Sequence, residues 1–82
     1  MKQEITVLNH RNKAIRDRLR SRVQKIMRSR SIGPMRIVHE AGVHHSTLGL
    51  FLKDIKLISF IQMCKIEDWV LEHEFDEEDN DE

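Results

Sequence analysis

Apolar residues recur at three- and four-residue intervals along most of this chain, and each such stretch predicts a helix. Between about Arg11 and Arg30, Ile15, Leu19, Val23, Ile26 and Met27 fall on one face, and Arg and Lys fill most of the remaining surface. Asn9 is a candidate N-cap, and Arg28 and Arg30 suit the negative end of the helix dipole. The run SIGP then interrupts the pattern. Gly33 sits outside a helix without steric cost, and Pro34 suits a first helical position, where its missing N–H has no partner to lose. A short second helix follows over Pro34–Ala41, with Ile37, Val38 and Ala41 inward and Arg36, His39 and Glu40 outward. Gly42 ends it in the left-handed C-cap conformation, and Val43 plugs the corner. A third helix from His44 or His45 to Lys53 turns Leu48, Phe51 and Leu52 inward and His45, Ser46, Gly49, Leu50 and Lys53 outward. The polar stretch DIKLI is a connection. Ser59 with Gln62 is a capping-box signature that starts a fourth helix at Phe60, with Ile61, Cys64, Ile66, Trp69 and Val70 at its apolar positions.

The pattern predicts an all-α fold, a small bundle of four to five helices. Residues 1–10 form a flexible N-terminal segment in which ITVL adds at most a short arm, residues 11–72 form the domain, and residues 73–82 form a tail. The 82 residues suffice for one small core. Cys64 is the only cysteine, so no internal disulfide forms, and Cys, His, Asp and Glu do not fall at zinc-site spacings. No metal or cofactor is expected. No apolar run approaches the roughly 18 residues that span a bilayer, and the N-terminus lacks a secretory apolar core. These features predict an intracellular protein with no membrane partner, in the nucleus of a eukaryote or the cytoplasm and nucleoid of a prokaryote.

Charge changes the picture more than composition does. Met1–Arg36 holds eleven basic and two acidic residues, whereas Ile37–Glu82 holds three basic and twelve acidic ones, although the whole chain is neutral. Such a split points to a half that attracts polyanions and a half that solvates or competes with them. The final stretch EHEFDEEDNDE is too charged to pack and predicts no helix. It can shield the basic helix as a DNA mimic, dock a basic partner, or simply keep the chain in solution.

The order Val38, Ala41, Gly42, Val43, Leu48, Phe51, followed by the Ser-capped helix ending in KIEDWV, resembles the lambda-repressor-like helix-turn-helix domains over roughly Arg11 to Leu71. The resemblance implies that the second helix crosses a phosphate backbone while the third enters the major groove of double-stranded DNA. His44, His45, Ser46, Thr47, Gly49 and Leu50 then occupy the base-facing positions, with Arg36 and Lys53 near phosphate. Ser46 and Thr47 can bond phosphate or base edges, His45 can donate to a purine, and Leu50 can meet only a thymine methyl. The face carries no Arg, Asn or Gln for bidentate base reading. The family's use of paired half-sites extends to a homodimer.

Arg11, Lys13, Arg16 and Arg30 are further candidates for phosphate contact. The fourth helix has more apolar residues than one buried stripe needs, and Met63 and Trp69 are the candidates for a partner interface, with closure of the core behind the third helix the other reading of Trp69. A protein-interaction module of the same fold, docking through Leu50, Met63 and Trp69 with the basic and acidic halves pairing head to tail between chains, is the alternative reading. Cys64 reads as a small core residue. His39, His44 and His45 lack a nearby fourth ligand for a metal. With no glycine-rich loop and no nucleophile elbow, no catalytic residues and no small-molecule substrate are expected. The expected role is a non-enzymatic regulator of transcription or chromatin.

Overall fold

A computed structural model describes the backbone of residues 4–80 and the side chains of residues 4–74. Among the described residues there are four helices and no strand: α1 (Lys13–Arg30), α2 (Pro34–Ala41), α3 (His45–Lys53) and α4 (Phe60–Asn80). Helix α1 packs on α4, and α2 packs on both α3 and α4. No helix among these residues is long and apolar enough to cross a membrane.

The core takes one or more residues from every segment. Leu19, Val23 and Ile26 come from α1, Ile37 from α2, Val43 from the corner, Leu48 and Phe51 from α3, Ile58 from the following loop, and Met63, Ile66, Trp69 and Val70 from α4. Most of this set is what helical spacing predicts; Ile15, Met27, Val38, Ala41, Leu52 and Cys64, also expected inward, are half-buried against it. Ile61, expected inward, is exposed, and Leu50 is half-buried against the core instead of facing outward. Met63 and Trp69, expected at a partner interface, are buried core residues. Trp69 lies at one of the apolar positions of the helical pattern and Met63 does not; α4 packs against both α1 and α2, which covers both residues.

Helix boundaries follow local chemistry. The N-cap of α1 is Asn12, not Asn9: its Oδ1 accepts from Ala14 N at 2.9 Å and Ile15 N at 3.3 Å. Asn9 instead closes a turn, accepting from Thr6 N at 2.7 Å. Helix α1 ends at Ser31 with φ 54°, a left-handed conformation unusual for a residue with Cβ, and α2 starts at Pro34 behind an extended Gly33. Ser59 Oγ accepts from Gln62 N at 3.3 Å, but Gln62 Oε1 has no hydrogen-bond partner, so only one leg of the capping box is made.

Two terminal segments depart from expectation. Ile5 is buried, and Glu67 Oε2 accepts from the backbone N–H groups of Glu4 at 2.7 Å and Ile5 at 3.2 Å, so residues 4–10 are strapped to α4 and do not form a loose arm. A buried carboxylate needs donors, and the two backbone amides supply them to Oε2, whereas Oε1 has no hydrogen-bond partner among the described residues. At the other end, the α4 backbone continues over the acidic stretch to Asn80 instead of ending near Glu72. The continuation begins where Glu74 meets Arg22 in a two-pronged pair, Nε to Oε2 at 2.8 Å and Nη2 to Oε1 at 2.7 Å. That guanidinium holds the Glu74 carboxyl below its ordinary value. Neutralising an acid there removes part of the repulsion that composition counts against a helix. Met1–Gln3 and Asp81–Glu82 lie outside the described residues, as does that part of the expected N-terminal segment and tail.

Candidate nucleic-acid interface

Helices α2 and α3 meet at Gly42, with φ 75° and its N–H donating to Val38 O at 3.1 Å. A side chain at that position would be strained by the backbone conformation itself, since no neighbouring atom would meet a Cβ. Two contacts brace the corner. Lys65 of α4 donates to Gly42 O at 3.3 Å, and Val43 is buried beneath it. Neither Lys65 nor its role is visible in a helical pattern, because the contact joins residues that are distant in sequence.

The N-terminus of α3 is built from histidines. His44 is the N-cap, its Nδ1 facing Ser46 Oγ at 2.8 Å and Ser46 N at 3.4 Å. Its ring stacks on that of His45, centroids 4.7 Å apart. His44, His45, Ser46 and Lys53 are exposed; Thr47, Gly49 and Leu50 are half-buried. Nothing lies within 4 Å of a Cβ placed on Gly49, so the middle of this face is open. The surface from Gly42 to Lys53 carries no acid. Arg36 on α2 is exposed but paired, Nε to Glu40 Oε2 at 2.8 Å.

Glu40 joins α2 to α4. Its Oε1 accepts from Trp69 Nε1 at 2.9 Å and lies 3.2 Å from His73 Nε2, and the Trp69 and His73 rings pack with centroids 4.2 Å apart. The Arg36 guanidinium, followed by the indole N–H, lowers the Glu40 carboxyl to about 2. Trp69 is therefore a polar anchor of the core.

The basic face of α1 is largely occupied by contacts within the fold. Lys13 reaches Asp17 Oδ2 at 3.2 Å and Asp54 Oδ2 at 3.3 Å; Arg16 donates to Arg11 O and lies 4.0 Å from Asp54; Arg30 donates to His73 O at 3.2 Å. Arg18 pairs with Glu4 at 2.7 Å. Lys13, Arg16 and Arg30 are thus tied down, and of the four α1-side candidates for phosphate contact Arg11 alone is exposed without an ion-pair partner among the described residues. For Lys13 and Arg16 the cause is Asp54, the α3 C-cap with φ 55°, which draws the cations at the start of α1 toward the end of α3. Arg20, singled out by nothing in the sequence, is central to this. Its Nε donates to Phe51 O at 2.9 Å, Nη1 to Asp17 at 2.6 Å, Nη2 lies 2.9 Å from Asp54, and its guanidinium stands 5.4 Å from the Phe51 ring centroid. Near α3, Arg11, Lys53, Lys56 and Lys65 have no ion-pair partner among the described residues, and of these Lys65 is held by the Gly42 carbonyl.

Cys64 is half-buried, and burial with the nearby Glu67 and Asp68 charges pushes its thiol above the ordinary value. No group of three His, Cys, Asp or Glu among the described residues is arranged to hold a metal ion. No family model, curated protein or solved structure matches this chain.

Proposed function

We propose that the protein is a non-enzymatic double-stranded DNA-binding domain of a transcriptional or chromatin regulator, built on a helix-turn-helix in which α3 enters the major groove. The observation that carries this reading is the α2–Gly42–α3 corner. An eight-residue helix, a left-handed glycine and a nine-residue helix present an acid-free face of His45, Ser46, Gly49 and Lys53 to solvent. Gly49 lets the backbone approach a groove wall, and the absence of Arg, Asn and Gln on this face predicts weak base selectivity. Affinity rests on phosphate contacts from Lys53, Arg11 and Lys56, with Arg36 adding to them when it leaves Glu40. The alternative of apolar docking through Leu50, Met63 and Trp69 loses Met63 and Trp69 to the core and keeps a half-buried Leu50.

The test is a titration of a labelled random-sequence duplex at several salt concentrations. Three phosphate contacts give a slope of log affinity against log salt of about −3. Lys53→Ala is expected to make that slope about one unit shallower on every sequence. Failure to bind at low salt, or binding indifferent to salt, overturns the proposal.

A further inference from the structure

The end of the bundle where α1 begins, α3 finishes and α4 begins carries an apolar surface that the duplex reading does not use. Two contacts bring its parts together. Lys13 at the start of α1 meets Asp54 at the end of α3, and the His10 ring stands edge-on to Phe60 with centroids 5.6 Å apart. The turn that includes Val7 and Leu8 therefore lies beside the Asp54–Ser59 connection and the first turn of α4. Leu8 is 96 % exposed, and Val7, Ile55 and Ile61 are each about two-thirds exposed. Large apolar side chains this exposed and this close together mark a contact surface. Around them stand Arg11, Lys53 and Lys56, exposed and without ion-pair partners among the described residues. The acids nearby, Asp17 and Asp54, are both engaged with Lys13 and Arg20.

We infer that this apolar, basic-rimmed end docks the acidic C-terminal stretch of a second copy of the chain, giving head-to-tail self-association. Residues 72–82 hold eight acids and Phe75, the complement of an apolar patch ringed by cations. A chain cannot satisfy its own patch in this way. The patch lies at the start of α4 and residues 72–80 at its end, and the 21 residues of this helix span about 30 Å. Patch-to-patch pairing is disfavoured for a different reason, because it sets Arg11, Lys53 and Lys56 of two copies against each other without an intervening free acid. Head-to-tail contact leaves one patch and one acidic stretch open at each step, so assembly continues beyond two copies or closes into a ring.

Sedimentation equilibrium in DNA-free buffer tests the inference apart from the duplex reading. At low salt the average mass of the full chain rises past that of two copies between micromolar and millimolar concentration, and high salt returns it to the monomer. Two full-length variants, Leu8→Asp with Ile55→Asp, and Asp76→Asn with Glu77→Gln, Glu78→Gln and Asp79→Asn, each stay monomeric while keeping the parent's helical circular dichroism. Mixed together they form a species of twice the monomer mass and nothing larger, since the pair has one working patch and one working acidic stretch. A full chain that is monomeric throughout overturns the inference. So does a tail variant that still associates with itself, which would reveal a symmetric contact.

Discussion

Helices α1 and α3 are joined chiefly by one side chain, and replacing it tests how the fold orients the candidate DNA-facing helix. Arg20 is only 14 % exposed and binds α3 at three points: the Phe51 carbonyl, the Phe51 ring and Asp54. Arg20→Ala removes a charged donor to a carbonyl, worth about 1.5–3 kcal/mol. It also removes two ion pairs to partly exposed carboxylates, each worth about 0.5 kcal/mol after solvent screening, and a ring contact of about 0.5–1 kcal/mol. Recovered hydration of the remaining groups offsets part of this, leaving an expected loss of about 3 kcal/mol. A chain of this length has about 4–12 kcal/mol in total, so the loss is visible as a large drop in urea midpoint followed by circular dichroism. Arg20→Lys keeps the charge but cannot reach Phe51 O, Asp17 and Asp54 together, because an ammonium lacks the planar fork. It is expected to lose about 2 kcal/mol. A loss below about 1 kcal/mol for alanine, or a lysine variant equal to the parent, would refute the assignment of Arg20 as the clamp.

Ile5→Ala, at the buried end of the N-terminal strap, is expected to cost about 2 kcal/mol and to speed amide exchange at Glu4 and Ile5, measured by NMR; unchanged exchange at both would mean the strap does not depend on Ile5 packing. Ser31→Gly relieves a left-handed residue that has a Cβ and is expected to gain about 0.5–1 kcal/mol in the same urea assay, after the entropy a glycine adds to the unfolded chain. Because folding lowers the Glu40 carboxyl from 4.5 to about 2, its contribution is complete above pH 4.5 and is lost as pH falls through 2. Glu40→Gln should therefore flatten the stability-against-pH curve between those limits, and a variant with the parent's slope there would show that the Arg36–Glu40–Trp69 junction does not carry it.

Local rules carried a good part of the fold. Pro34 and Gly42 bracket α2 because a ring without N–H suits a first turn and a left-handed cap suits glycine, and both preferences act within a few residues. Three-and-four spacing likewise assigned Leu19, Val23, Ile37, Leu48 and Phe51 to the interior. The candidate interface was legible to the same extent: the sequence placed His44, His45, Ser46 and Lys53 on the open side of a helix after a glycine corner, and they are exposed there.

Tertiary structure decided what each charge and each surplus apolar residue does. The arginines of α1 look alike in sequence, but Asp54, more than thirty residues away from most of them, takes Lys13, Arg16 and Arg20, and Glu74 takes Arg22. Periodicity places a residue on a face without naming the helix that will cover it. Met63, off the expected stripe, is therefore core because α1 and α2 both pack on α4, while Ile61, on the expected stripe of the same helix, stays in solvent. The N-terminal strap shows the limit most plainly. Ile5 is buried through a bond to Glu67, sixty-two positions away, and a charge in a helical run gives no sign that two distant backbone amides will satisfy it.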